Sequence, residues 1–241
     1  MLSPARRHQM RQQAIEAAKQ QDNPLRHANG YELMLLKLNE DKRQLKKVRS
    51  VERKAEMKRL MLPGYLPWVA GVLESGKGAQ DAILMTVMIW RLDVGDVAAA
   101  LEIARYALQH GLVPTDTYKR NSTAYLLAEE VAEAATRAWT AKEVVDVDPL
   151  LATLELTKAE DMPDEVRAKR HKIIGYVLRD AGRALDAIEH LKRALQLHQG
   201  SGVKKDIERL ATELKKQAAS REQNAPRAGR HTGRNGYPFS V

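Results

Sequence analysis

The chain has no cysteine, a single phenylalanine and no long apolar run. Without cysteine neither a disulfide framework nor a thiolate metal site can form, and an intracellular compartment is expected. No apolar stretch reaches the roughly 18 residues that a membrane span needs. The first residues carry charge without the apolar core of a signal peptide. We therefore expect the chain to stay in the compartment where it is made.

Aromatic residues are also scarce, at 5% of the 241 residues. This is too few to fill the core of a typical β-sandwich, whereas leucine, alanine, isoleucine and valine are plentiful and suit helix packing. The sequence therefore predicts an all-α fold.

Positive charge is concentrated at the two ends of the chain. Residues 1–62 hold 15 Lys/Arg against 7 Asp/Glu, whereas residues 63–163 hold 8 against 15. Basic residues are again in excess over residues 164–218, with 13 Lys/Arg and 8 Asp/Glu. The same holds for residues 219–241, with 4 Lys/Arg and 1 Asp/Glu. Basic segments commonly bind phosphate because each neutralised phosphate releases counterions. The alternative is that these basic helix faces are only solvated.

Residues 1–62 are predicted to form a basic helical arm. Ser3 and Pro4 are typical of a helix start, and this helix is expected to run to about Gln21. A second helix is predicted from Asn29 or Gly30 to Met61, with a charged rod as its second part. Apolar residues at heptad-like spacing give the rod a weak coiled-coil pattern, and a single solvated helix fits equally well; they are Leu38, Leu45, Val48 and Ala55.

The segment Pro63–Trp68, with two prolines and two aromatic residues, is interpreted as a linker and the first domain boundary. Beyond it, short helices are predicted between turn residues rich in glycine, aspartate and proline. Their expected ranges are 68–75, 79–93, 96–110, 116–138 and 149–156. This gives an acidic helical domain over residues 63–163, for which we expect a role in oligomerisation.

Two stretches, 95–108 and 182–195, resemble each other. Each begins with a turn glycine, continues with small residues and follows an apolar helix. This pattern is typical of the second helix of a tetratricopeptide repeat, although two units are fewer than a free-standing solenoid needs. We therefore predict central and C-terminal helical hairpins of tetratricopeptide-like character, the latter within residues 164–218.

Residues 219–241 contain little to bury and are predicted to be a disordered basic tail. Its aromatic end, with Tyr237 and Phe239, has the composition of a short docking peptide. The alternative is that this end packs back onto its own domain.

No catalytic motif is convincing. Residues 71–78 nearly spell the phosphate-binding loop GxxxxGK[ST], but Gly78 replaces the hydroxyl residue and no strand precedes it. Asp164 with Glu213 and Lys215 can be written as a nuclease-like PD…ExK, yet the pieces look helical. Other carboxylates fall at expected helix ends, and His190 and His198 are too far apart on one helix to share a metal. These residues predict no metal site and leave the catalytic residues unknown.

Residues 78–96 lead straight into ALEIARYALQHGL, and the chain also carries the LLKLNEDKRQLKKVRSVERKAEMKR arm and the YLPW segment. Together these stretches resemble the small terminase subunit of peduovirus-type tailed phages, over essentially the whole chain. The resemblance implies a late viral protein of virion assembly that acts in the host cytoplasm. It further implies binding to the packaging site on viral DNA, a ring-like homo-oligomer, and delivery of DNA to the large ATPase subunit.

The family is often labelled the endonuclease subunit of the terminase. This sequence does not support that label, because it contains no recognisable nuclease active site. A helix-turn-helix with a recognition helix is also missing from the N-terminal residues. If bases are read, Arg6, Arg7, Gln9, Gln12 or Gln13 are the residues expected to read them.

The leading hypothesis is a DNA-binding adaptor of a packaging motor, with the tail residues Tyr237 and Phe239 contacting the large subunit. One alternative is a magnesium-dependent endonuclease that cuts the packaging site. Another is a helical-repeat scaffold without nucleic-acid binding. The expected DNA contacts are Arg6, Arg7, Arg11, Lys42, Arg43, Lys46, Lys47, Arg49, Arg53, Lys54, Lys58 and Arg59.

Overall fold

A computed structural model describes residues 3–19, 28–114 and 122–224. Over these residues the secondary structure consists of helices and contains no strand, which confirms the all-α prediction. Two 3-10 helices, Leu62–Gly64 and Gln199–Ser201, separate longer elements. The α-helices are α1 (Pro4–Lys19), α2 (Ala28–Lys46), α3 (Val51–Met61), α4 (Leu66–Ser75), α5 (Ala82–Asp93), α6 (Val97–Gln109), α7 (Thr123–Thr140), α8 (Asp148–Leu156), α9 (Asp164–Asp180), α10 (Ala184–Leu197) and α11 (Lys204–Asn224).

The predicted continuous rod is wrong, because the chain turns between α2 and α3. The last turn of α2 tightens, with the Lys47 N–H donating to the Gln44 carbonyl at 3.1 Å. Ser50 then adopts an extended conformation, and its hydroxyl accepts from the Arg53 N–H at 3.2 Å. A serine with this geometry satisfies an otherwise unpaired N–H of the first turn of a helix. Ser50 therefore starts a new helix in the middle of the basic stretch.

The apolar residues of the weak heptad pattern face the protein's own core. Leu38 is 1% exposed and Leu45 is 7% exposed, and both belong to the main apolar cluster. A coiled-coil seam needs such side chains free to meet a partner helix. The coiled-coil alternative is therefore wrong for this pair, since intramolecular packing already buries it.

The segment interpreted as a linker contains two core residues. Tyr65 is fully buried and Trp68 is 1% exposed, and Trp68 lies in the first turns of α4. The Trp68 indole N–H donates to Asp81 Oδ2 at 2.8 Å. The other oxygen of Asp81 accepts from the Ile83 and Leu84 N–H groups, which caps α5. The buried carboxylate of Asp81 therefore links Trp68 of α4 to the first turn of α5.

Helix α1 packs mainly along α4 and makes a smaller contact with α2. The close approach depends on Gly71, where a Cβ atom would lie 2.5 Å from the Arg11 carbonyl oxygen and 2.9 Å from Ala14 Cβ. Ala14 is fully buried. Helix α1 therefore packs more closely on α4 than on the helix that follows it, because α4 offers the glycine that lets two backbones approach.

The two similar stretches are each the second helix of a helical hairpin. Helix α6 packs on α5 and helix α10 packs on α9, the latter with the most extensive helix–helix contact in the described residues. Gly95 and Gly182 form the turns with φ of +84° and +76°, a region that favours glycine. Gly175 lies against Leu191, where a Cβ would be 2.7 Å from its side chain. The hairpins are observed, whereas their tetratricopeptide-like character stays a prediction.

The structure differs from the predicted start of one helix and from the predicted start of the disordered tail. The helix predicted over 116–138 is α7, which begins after its cap Ser122; residues 115–121 lie outside the described residues. Predicted disorder from residue 219 is wrong for residues 219–224, which continue α11. The remainder of the tail, with Tyr237 and Phe239, lies outside the described residues.

One main apolar cluster runs through the described chain, from Ala14 in α1 to Leu210 in α11. It includes side chains from both sides of the expected boundary at residues 62 and 63. The predicted division into segments 1–62, 63–163, 164–218 and 219–241 stays a prediction. None of the described helices is long and apolar enough to cross a membrane.

Candidate nucleic-acid interface

The turn between α2 and α3 gathers the densest group of positive side chains. Residues 42–54 hold seven Lys/Arg and one glutamate, and the Ser50 cap folds them around one turn. We call six of these residues the basic corner; they are Lys42, Lys46, Lys47, Arg49, Arg53 and Lys54. Within the described part of the chain, none of the six forms an ion pair. The corner is therefore a local excess of uncompensated positive charge.

Exposure differs within the basic corner. Lys46, Lys47, Arg49 and Arg53 are exposed, whereas Lys42 and Lys54 are partly buried. Burial lowers the pKa of Lys42, and the positive charge of Lys46 lowers it further. A cation whose pKa falls because of a neighbouring cation lies in a positive field. An anion bound between Lys42 and Lys46 would relieve this repulsion.

Helix α1 contributes a second, smaller positive surface. Arg6 and Arg7 are exposed in its first turns, as is Gln9. Arg11 instead forms an ion pair with Glu74 of α4, its Nε donating at 2.9 Å. Arg6 and Arg7 are thus free to meet a ligand, whereas Arg11 helps to join α1 to α4.

Three further residues predicted to contact DNA form ion pairs or hydrogen bonds within the protein. Lys58 forms a 2.5 Å ion pair with Asp93, and Arg59 donates to the Val94 carbonyl at 3.3 Å. These two bonds join α3 to the end of α5. Arg43 pairs with Glu40 one turn earlier on α2, at 2.5 Å. The structure therefore separates the twelve predicted residues into a free group and a group that is paired within the protein.

The motif that resembles a phosphate-binding loop has another structure, as the sequence interpretation expected. Gly71 lies inside α4, and Gly76 is the residue that ends this helix. Gly78 has φ of +82° and its N–H donates to the Tyr106 hydroxyl at 2.9 Å. These glycines form a helix C-cap and the loop that follows it, and Gly71 within α4 makes a close packing contact with α1.

Most of the carboxylates considered for catalysis have structural partners. Asp93 pairs with Lys58, and Asp96 both caps α6 and pairs with Arg91. Asp146 accepts from the Asp148 N–H at 3.0 Å. Asp164 pairs with Arg167 at the start of α9, while Glu213 lies exposed on α11. Among the residues described, no three histidine, aspartate or glutamate side chains converge as metal ligands would.

The structure also brings together residues that the sequence did not connect. His171 of α9 and His190 of α10 have their Nδ1 atoms 3.1 Å apart. Burial lowers the pKa of His171 to about 3, and nearby His190 and Arg170 add to this shift. The pKa of His190 is also lowered by burial. Nineteen positions separate the two residues, and only the α9–α10 hairpin shows their pairing.

Comparison with known proteins places this architecture in a family. The model of the phage small terminase subunit family matches residues 35–165, which span α2 to the start of α9. The chain is 57% identical over 232 residues to the protein named "Terminase, endonuclease subunit" of Escherichia phage P2, covering 96% of this chain and 94% of that protein. It is also 26% identical to the "Probable terminase, endonuclease subunit" of Haemophilus phage HP1 (strain HP1c1), covering 86% and 79% respectively. No solved structure matches. The chain therefore belongs to the phage small terminase subunit family.

Proposed function

We propose that this small terminase subunit binds duplex viral DNA through its basic corner and the exposed start of α1. It holds the packaging (cohesive-end) site and presents it to the large ATPase and nuclease subunit in the host cytoplasm. The observation that carries this proposal is the α2–α3 turn, where four exposed cations lie together without an acidic partner among the described residues. They are Lys46, Lys47, Arg49 and Arg53.

Charge and geometry favour DNA as the ligand of the basic corner. A duplex carries about one negative charge per 1.7 Å of axis, so a corner of several cations meets several phosphates at once. Contacts of this kind fix position on the duplex and carry no sequence information. Base reading is therefore assigned to α1, where Arg6, Arg7 and Gln9 are exposed.

Two partners complete the proposal. Contact with the large subunit is assigned to the aromatic end of the tail, Tyr237 and Phe239, because aromatic side chains dominate interface energies. The family resemblance implies a homo-oligomer, and its contacts are assigned to the acidic segment 63–163.

The proposal is tested by duplex binding at low salt with the full chain. Changing Lys46, Lys47, Arg53 and Lys54 together to alanine removes four charges from the corner, and we expect a loss of affinity of at least tenfold. The matched control removes four exposed charges from α11 and should bind nearly as the unchanged chain does; it alters Lys204, Lys205, Lys215 and Lys216. Equal losses in the two variants would contradict a specific role for the corner.

A magnesium-dependent endonuclease is the second candidate function, favoured by the printed names of both relatives. The test is to incubate the purified chain alone with packaging-site DNA and Mg²⁺. Cleavage that EDTA abolishes would establish the endonuclease. Intact DNA, together with tight binding, would leave the adaptor function standing.

A further inference from the structure

A groove lies between α7 and α9, in the rear half of the chain. Its volume is about 590 Å³, within the range of ligand pockets. Ala132 and Ile173 line it with apolar surface, and Trp139 and Tyr176 add two aromatic rings. It is formed by none of the residues assigned to duplex binding.

The two rings form a preorganised stacking surface. The centroids of Trp139 and Tyr176 are 4.7 Å apart and their planes differ by 18°. The Trp139 indole N–H donates to Asp180 Oδ2 at 2.6 Å, and the Tyr176 hydroxyl donates to Asp206 at 3.0 Å. The polar atoms of both rings are therefore satisfied, and this fixes the orientation of the rings. Tyr176 is only 9% exposed and supports the Trp139 ring, which is partly exposed and is the ring that a ligand would contact.

Positive charge surrounds this aromatic surface. Lys169 is exposed and has no ion pair within the described part of the chain, and Lys172 lies beside the Tyr176 ring at 5.8 Å. Arg137 is also in the lining, with Glu133 as the single acidic neighbour 3.9 Å away. Asp180 and Asp206, which hold the two rings, are themselves paired with Arg179 and Arg209. The lining residues therefore keep an excess of positive charge, which favours an anionic ligand, and the stacked rings favour a planar aromatic one.

We propose that this groove binds an unpaired nucleobase and the phosphate next to it, so that the rear half of the chain holds single-stranded DNA. Aromatic side chains bordered by lysine and arginine are how proteins bind single strands, since every base has a face to stack and every linkage has a charge. A paired base inside a duplex cannot reach the rings, because its faces are covered by its neighbours. The groove therefore discriminates an unpaired strand from the duplex that the basic corner binds.

Trp139 supplies a direct readout. The chain has three tryptophans, and Trp68 and Trp90 are 1% and 3% exposed. Quenching of tryptophan fluorescence by a stacked base therefore reports on Trp139. The probe is a thymidine oligonucleotide of about ten nucleotides. The protein is the full chain with the basic corner neutralised and with Arg6 and Arg7 changed to alanine, so that the two surfaces assigned to duplex binding do not contribute.

We expect saturable quenching by the oligonucleotide and little by a duplex of the same length. Trp139→Ala should weaken binding of a labelled oligonucleotide about tenfold or more, and Trp139→Phe should restore most of it, because the ring still stacks. Lys169→Ala should weaken binding and raise no folding concern, since this side chain is exposed. Lys192→Ala, an equal charge change at an exposed position of α10, should leave affinity unchanged.

Several results would overturn the proposal. One is that the oligonucleotide does not quench Trp139 fluorescence and that Lys169→Ala binds it as tightly as the parent protein does. Another is equal quenching by the duplex, which would assign the groove to phosphates alone. A third is tighter Trp139-dependent binding of an acidic, tyrosine-containing peptide, which would make the occupant a protein. None of these outcomes bears on the basic corner, whose test uses duplex DNA.

Discussion

The Tyr65 hydroxyl donates a 2.6 Å hydrogen bond to Asp41 Oδ2, and the ammonium group of Lys37 contacts both residues. Lys37 Nζ lies 2.6 Å from the same carboxylate oxygen and 3.9 Å from the centre of the Tyr65 ring. Burial and the hydrogen bond to Asp41 raise the pKa of Tyr65. This cluster joins α2 to the segment that precedes α4 and so fixes the helix that leads to the basic corner.

The first prediction concerns this hydrogen bond. Tyr65→Phe should lower the free energy of unfolding by about 1–2 kcal/mol, because it leaves a half-buried carboxylate with one donor fewer. Urea unfolding measures the change. A double-mutant cycle with Asp41→Ala should show a coupling energy of about 1 kcal/mol between the two residues. A coupling energy near zero would mean that the contact stabilises nothing.

The second prediction concerns the packing of α1 on α4. Gly71→Ala would ordinarily stabilise a helix interior by up to about 1 kcal/mol. Here the added Cβ would lie 2.5 Å from the Arg11 carbonyl oxygen, so the helices must separate. We expect a loss of about 1–3 kcal/mol in thermal or urea unfolding.

The exposed neighbour Ala70 gives the control for Gly71. Ala70→Ser on the same helix should change the free energy of unfolding by less than about 0.5 kcal/mol. A stabilising Gly71→Ala would show that α1 does not pack closely against α4.

The third prediction concerns pH and the His171–His190 pair. With the two Nδ1 atoms 3.1 Å apart, one ring must donate and the other accept, which a doubly protonated pair cannot do. The pKa of His171 is about 3 in the folded chain, below its usual value of about 6.5. The unfolded chain therefore binds more protons between these values, so stability is complete above about pH 6.5 and falls as the pH is lowered.

Charged groups around the pair act in both directions. Arg170 disfavours protonation of both histidines, while Asp186 and Glu189 favour protonation of His190. His171→Gln should flatten the decline in the free energy of unfolding between about pH 6.5 and pH 4. His198→Gln, at an exposed position, should retain the decline of the unchanged chain. Identical pH profiles for the unchanged chain and His171→Gln would contradict the pairing.

The fourth prediction separates structural cations from DNA contacts. Lys58 is paired with Asp93 at 2.5 Å, with 15% of its side chain exposed. Lys58→Ala should cost about 0.5–1 kcal/mol of stability and leave the salt dependence of DNA binding unchanged. Lys46→Ala should leave stability unchanged and reduce the salt dependence of DNA binding, because Lys46 is exposed and has no ion pair among the described residues. If both variants changed only the salt dependence, the division of the twelve residues would be wrong.

The fold class follows from the sequence because helix periodicity and caps are local properties. Proline at the start of α1 and the aspartates at the helix ends were readable from short windows. The break at Ser50 was missed because the surrounding lysines and arginines are good helix formers, and a single cap outweighs them only once α2 has packed. Leu38 and Leu45 fit either a partner helix or the protein's own core, and spacing alone does not distinguish the two.

The candidate sites were less predictable because they depend on contacts between distant residues. Charge counting located the basic corner, but it also selected Lys58 and Arg59, whose partners lie on α5 and just after it. His171 with His190, and Trp139 with Tyr176, come together only when α9 packs on its neighbours. Tyr65 and Trp68 sit between prolines, a composition typical of a linker, although their rings are buried.

The salt dependence of duplex binding tests the central claim most directly. For the full chain, log affinity against log salt should fall linearly, and alanine at Lys46, Lys47, Arg53 and Lys54 should reduce the slope by about 2–4 units. The four-lysine control on α11 should keep the slope of the unchanged chain. An unchanged slope in the corner variant, or an equal reduction in the control, would contradict the account.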